Sequence, residues 1–254
     1  MLKLSSLKID PEFSAQILPL SFEELQQLEQ NIIAEGRLLN PIITWNGYIL
    51  DGHTRYRILK KHGFIKFEVE EIQLANKYEA LAWICKNQLG RRNLSPERKK
   101  FLLGKEYEST KLAVGGQPGN CNKVNRCDQN DHIDSEKRTC ERIAVEHGVG
   151  SATVRRAEKY MNGVEAADEA APGAREEILN GKIKAADREI CAIAKAPKEQ
   201  RSEIVAELRK PKSERDKQLA SSTKSPSVKA ESFDDDGSRF LIGISKKYKG
   251  TKGH

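Results

Sequence analysis

Residues 49–58 read Ile-Leu-Asp-Gly-His-Thr-Arg-Tyr-Arg-Ile, an apolar pair running into an acid, a glycine, a histidine and two arginines. A strand that ends in Asp51-Gly52 and turns into a helix presents unpaired backbone N–H groups and the positive end of the helix dipole, which together make an anion site. Gly52 lets backbone approach a ligand closely, Arg55 and Arg57 add charge that does not titrate away, and His53 and Thr54 can donate to phosphate oxygens. The same residues have a plainer use, as a capped helix whose arginines pair with Asp51, Glu35 or Glu68. An enzyme built here, a small-molecule phosphotransferase or a nuclease, needs converging acids, with Glu35 or Asp51 as base and His53 near the phosphates.

A second constellation lies in residues 140–157, CERIAVEHGVGSATVRRA. Small Ala144 stands where two helices cross closely, Gly148 follows it where the chain turns, and Val154 falls on the inner face of the second helix. This is the spacing of a helix-turn-helix, with Ser151 as the expected N-cap of the second helix. The outward face of that helix carries Thr153, Arg155, Arg156 and Lys159. Ser151 and the backbone beside it are expected to hold phosphate, with Thr153 and Arg156 better placed for bases. The plainer use is a helical hairpin with a charged outer face.

A third set, Cys121, Cys127, His132 and Cys140, has C-x5-C-x4-H-x7-C spacing and lacks the close cysteine pairs of zinc modules, so no metal site is expected. Five scattered cysteines argue against a disulfide framework and for a reducing compartment.

Elements must position these residues. Leu2, Leu4, Leu7 and Ile9 suggest a first strand. Ser21 with Glu24 writes a capping box, helical spacing follows through Ile32, and Gly36 supplies the stop. Asn46-Gly47 between two apolar runs is a hairpin signal whose second strand feeds the Asp51-Gly52 turn. An alternating strand over 64–72 completes a β-α-β-β-α-β module, and a helix from Asn76 to about Leu89 packs on it. Ser95-Pro96 opens a basic helix lasting to about Val114. Two short helices over 139–162 and two or three more through Lys212 follow.

Hydrophobic residues make up 37% of the 254 and charged ones 32%, which predicts compact units separated by open stretches. The net charge of +7 is uneven: residues 1–85 hold 9 basic against 11 acidic side chains, so the excess sits behind them. An acidic front and a basic body fit a rear that meets a polyanion. No apolar run approaches membrane-spanning length, and the opening MLKLSSLKID lacks a signal peptide's apolar core, so no membrane is expected and the cytoplasm is the expected compartment.

The run GRLLNPII, then DGHTRYR, then KNQLGRRNLSPERKKFL, then the helix-turn-helix, resembles the ParB family, whose N-terminal module shares a fold with sulfiredoxin. The resemblance covers about residues 5–165 and implies binding of CTP or another nucleoside triphosphate with Mg2+. It also implies a homodimer, double-stranded DNA as ligand and a partition ATPase as partner. By that resemblance Gly52, His53, Thr54, Arg55, Arg57, Asn87, Arg91 and Arg92 form the nucleotide site, and Ser151, Thr153, Arg155, Arg156 and Lys159 meet DNA. His53 and Thr54 stand where the family has Glu and Arg. Lys86 stands at an acidic position associated with hydrolysis, which argues for weak or no hydrolysis. The absence of a cysteine in the turn argues against sulfiredoxin activity.

The expected organisation is an α+β ParB/sulfiredoxin-like nucleotide-binding domain at 1–90, then an all-α DNA-binding domain at 91–165 with the helix-turn-helix at 139–162 and an inserted loop at 115–134. A helical extension at 166–212 and a largely disordered tail at 213–254 follow. The expected function is a sequence-specific, nucleotide-responsive DNA-binding protein, nucleoid- or plasmid-associated, in plasmid, phage or mobile-element partition or in transcription regulation. The alternative is the nucleotide-dependent enzyme described above.

Overall fold

The computed structural model describes residues 4–63, 65–115, 132–211, 214, 232–233 and 239–240. The chain divides into compact units at 1–211 and 212–254. In the second unit β4 (Ser232–Phe233) pairs antiparallel with β5 (Arg239–Phe240). Part of the tail expected to lack structure therefore forms a short ladder, and its other residues, Glu214 apart, lie outside those described.

The first unit opens on a turn and not on the expected strand. Leu4–Ser6 is a 3-10 helix, and only Lys8 bridges to a strand, at Tyr48. Asp10-Pro11 then starts a helix, α1 (Pro11–Ala15), because the Asp10 carboxylate accepts from the N–H of Glu12 at 2.8 Å and of Phe13 at 3.3 Å. The next helix, α2 (Phe22–Glu35), has its capping box in place: Ser21 N–H donates to Glu24 Oε2 at 2.9 Å and Glu24 N–H to Ser21 Oγ at 3.2 Å. It ends at left-handed Gly36.

The hairpin follows as β1 (Ile42–Trp45) and β2 (Tyr48–Asp51), antiparallel around Asn46 and Gly47, both at positive φ. After α3 (His53–Lys61) comes β3 (Val69–Glu71), parallel to β1 with Ile42 opposite Val69, and the sheet order is β2-β1-β3. The strand expected over 64–72 is this short because β1 offers only four residues between Pro41 and the turn.

Neighbouring residues of β2 feed opposite faces. Ile49 packs with Ile32, Tyr56 and Leu59, while Leu50 packs with Phe13, Leu81 and Ile84, so helices cover both sides of the sheet. The last two belong to α4 (Lys77–Leu89), capped by Asn76.

Among the described residues of the unit six more helices follow: α5 (Pro96–Ala113), α6 (His132–Glu146), α7 (Ser151–Ala170), α8 (Ala174–Leu179), α9 (Asp187–Lys195) and α10 (Lys198–Arg209). The helix pair begins at 132, inside the expected loop, whose residues 116–131 lie outside those described. The expected boundary at 165/166 falls within α7, a single helix.

The helices cross closely through glycine. A Cβ on Gly104 of α5 would stand 2.3 Å from the Ala157 carbonyl oxygen of α7, and one on Gly163 would stand 2.2 Å from the Ile190 oxygen of α9. These close approaches make α5, α7 and α9 one stack over a core that includes Phe101, Met161, Val164 and Ile193.

Candidate functional site

The Asp51-Gly52 turn is built as its residue types require. Gly52 is the N-cap of α3 at φ +96, a left-handed conformation that glycine adopts without cost, and no side chain caps the helix. Among the described residues the backbone N–H groups of His53, Thr54 and Arg55 find no acceptor. The turn is held from behind, where Tyr56 packs in the core and donates its hydroxyl to the Leu7 carbonyl at 3.2 Å.

Beside the turn lies a cavity of about 400 Å³, within the size range of small-molecule sites. Its apolar lining comes from Ile17, Leu18, Leu20, Leu28, Pro41 and Ile43. Its other lining residues are Asn40, Asp51, Gly52, His53, Thr54, Arg55 and Arg91. Arg55 donates to Asp51 Oδ2 at 2.6 Å and to the Asn40 carbonyl at 3.0 Å, and Arg91 approaches Asp51 Oδ1 at 3.7 Å.

His53 is 4% exposed, and neither ring nitrogen has a hydrogen-bond partner. Burial pushes its pKa down to about 4; the Asp51 carboxylate opposes the shift and Arg57 adds to it. The imidazole is therefore neutral at pH 7, one nitrogen a donor and the other an acceptor.

Of the residues expected in this site, Gly52, His53, Thr54, Arg55 and Arg91 come together around the cavity. Arg57, Asn87 and Arg92 are exposed and do not line it. Of the three candidate acids only Asp51 borders it, since Glu35 and Glu68 are exposed elsewhere. Asn40 and the apolar lining were not foreseen. The Ser21-Glu24 signal placed α2 but not the side of it that faces Gly52.

The second constellation forms a pair of helices, α6 and α7, joined by residues 147–150 with Gly148 at φ +63. Ile143, Ala144, Val154 and Ala157 are buried between them and α5. Gly150, not Ser151, is the N-cap of α7, and the expected capping oxygen is absent from that position. Ser151 begins the helix, and its carbonyl accepts from the Cys140 thiol at 3.1 Å. Thr153, Arg155, Arg156 and Lys159 are exposed, and among the described residues the three cations make no ion pair. The turn is tied down by His147, whose Nε2 lies 2.7 Å from the buried carboxylate of Glu106 on α5, and by Lys86 of α4, 2.9 Å from Glu146. Burial raises the pKa of Glu106, with His147 opposing.

Of the possible metal ligands named from sequence, Cys121 and Cys127 lie outside the described residues, as does the side chain of His132. Cys85, Cys140 and Cys191 are free thiols. Among the described residues no helix is long and apolar enough to cross a membrane.

No protein-family model matches the chain. No curated protein matches it either. Among solved structures it is similar to the C2221 form of a Pnob8-like ParB-N domain, with 18% identity and a TM-score of 0.46 over 85% of this chain and 86% of that chain. It is similar also to the C-terminally truncated chromosome-partitioning protein ParB from Caulobacter crescentus complexed to the centromeric parS site, with 17% identity and a TM-score of 0.37 over 87% and 91%. A pNOB8-like ParB N-domain is similar at 15% identity and a TM-score of 0.41 over 88% and 95%.

Proposed function

We propose that the chain is a DNA-binding protein of the ParB type that responds to a nucleotide bound at the Gly52 turn. The observation that carries this reading is the exposed row Thr153, Arg155, Arg156 and Lys159 on α7, a set of donors without ion-pair partners among the described residues, at the front of a crossing helix pair. A row of this kind suits phosphate oxygens and base edges in a major groove. The nucleotide half is supported by the amphiphilic cavity. Its apolar lining residues suit a base, the uncapped start of α3 with Arg55 and Arg91 suits phosphates, and neutral His53 suits a group that is not charged.

The residues present thus fit CTP or another nucleoside triphosphate with Mg2+. Gly52, Thr54, Arg55 and Arg91 would hold the phosphates, and Asp51 is the carboxylate at hand for the metal ion. A phosphotransferase on this fold gains no support from Glu35 and Glu68, which stand apart from the cavity.

Fluorescence anisotropy on a mixed-sequence duplex tests the DNA half. The double substitution Arg155→Ala with Arg156→Ala should weaken binding and reduce the slope of log affinity against log salt by about 1 or more, roughly one for each phosphate no longer neutralised. An unchanged slope would sink the assignment of α7. Calorimetric titration with CTP, ATP and GTP tests the other half: binding of at least one by the wild type, abolished in Arg55→Ala, is expected. Absence of heat with all three removes the nucleotide.

A further inference from the structure

Arg55 is folded back over the start of its own helix. Its Nη2 donates to Asp51 Oδ2 at 2.6 Å and its Nη1 to the Asn40 carbonyl at 3.0 Å, and its Nε and Nη2 lie 3.2 Å from where a Cβ on Gly52 would stand. Arg91 faces the other oxygen of the same carboxylate, 3.7 Å away. Both cations of the cavity are therefore turned toward one internal anion, and the guanidinium of Arg55 lies over the turn. His53, which lines the same cavity, is buried with both ring nitrogens unpartnered and marks polar capacity that the protein itself does not use.

An incoming phosphate meets donors already directed at Asp51, with a like charge beside them. In a partly desolvated site that repulsion is large compared with thermal energy. We propose that Asp51 is the internal competitor of this site: it holds Arg55 and Arg91 in the ligand-free chain, and a phosphate-bearing ligand binds by taking those donors from it. This rests on the phosphate-binding reading of the cavity given above. The exchange involves hydrogen bonds and ion pairs only, with no covalent change. It makes Asp51 a determinant of affinity and specificity. A carboxylate offers two oxygens to the arginines, so a ligand with several charged oxygens displaces it, whereas a neutral one gains nothing from its departure.

The test uses inorganic pyrophosphate, titrated without divalent cation into the full chain and into Asp51→Asn, with folding of each verified by its thermal transition. Asp51→Ser replaces Asp51→Asn if the latter does not fold. Removing the competing charge should tighten pyrophosphate binding about ten-fold. Equal or weaker binding by the folded variant overturns the proposal and leaves the nucleotide reading standing on its own titrations. Failure of wild type and variant alike to bind pyrophosphate also overturns it, and the CTP, ATP and GTP titrations then decide the nucleotide reading separately.

Discussion

His53 couples the turn to pH. Its pKa of about 4 in the folded chain lies below the ordinary 6.5, so the unfolded chain takes up a proton first as pH falls. The stability it confers is complete above pH 6.5 and is lost progressively as pH drops toward 4, up to roughly 2–3 kcal/mol. Replacing His53 by Leu should flatten the melting temperature against pH between 6.5 and 4, read by calorimetry; an unchanged acid limb would mean that another group governs it. The neighbouring arginines show what spacing alone reveals. Arg55 stands four residues after Asp51 and folds back onto it across the left-handed Gly52 turn. Arg57, two positions further, points about 200° away around the helix and is exposed. Asn87 and Arg91 have helical separation too, but α4 stops at Leu89, so the turn that follows decides where Arg91 goes. The residue types that gather at the turn were legible; their directions depended on where each helix starts and ends.

At the level of elements, signals written in backbone chemistry were legible: the capping box of α2, the Asn46-Gly47 hairpin and the Ser95-Pro96 start of α5 all stand where they were expected. Signals written only in apolar alternation were weaker. Leu4 and Leu7 pack without a strand, because Asp10-Pro11 begins a helix before a ladder can extend. Gly104 carries no local signal, since its role depends on Ala157, fifty-three residues away in the chain. Gly104→Ala should cost about 1–3 kcal/mol or more by overpacking. Gly63→Ala, where nothing stands within 4 Å of the new methyl group, should change stability by less than about 0.5 kcal/mol. Chemical denaturation of the pair checks the contrast, and equal effects would refute the close crossing of α5 and α7.

Across the whole molecule, segments that motif and resemblance placed on either side of 90/91 and 165/166 lie within one compact unit, residues 1–211. A single arginine illustrates why. Arg175 at the start of α8 donates to the Ala15 carbonyl at 2.8 Å and to Gln16 Oε1 at 3.1 Å, and its guanidinium lies 4.4 Å over the ring of Phe101. It thus joins the end of α1 to α5 and α8, a link across 160 positions that no local pattern announces. Arg175→Ala removes a fork and a stacking interaction together and should destabilise the chain by roughly 2–4 kcal/mol; Arg175→Lys should not restore it, because an ammonium cannot do both. Urea unfolding of both variants measures this, and full recovery by lysine would show that charge alone matters.

The single helix α7 carries the exposed basic row in its first half and is clamped at Ala157 and Gly163 by α5 and α9. With about 1.5 Å per residue it is a strut some 30 Å long, anchored in the middle and offering no hinge. Its amides from 157 to 164 should therefore be among the slowest in the chain to exchange with deuterium, opening only with the whole unit. The basic row therefore moves only with the α5–α7–α9 stack and cannot swivel on its own.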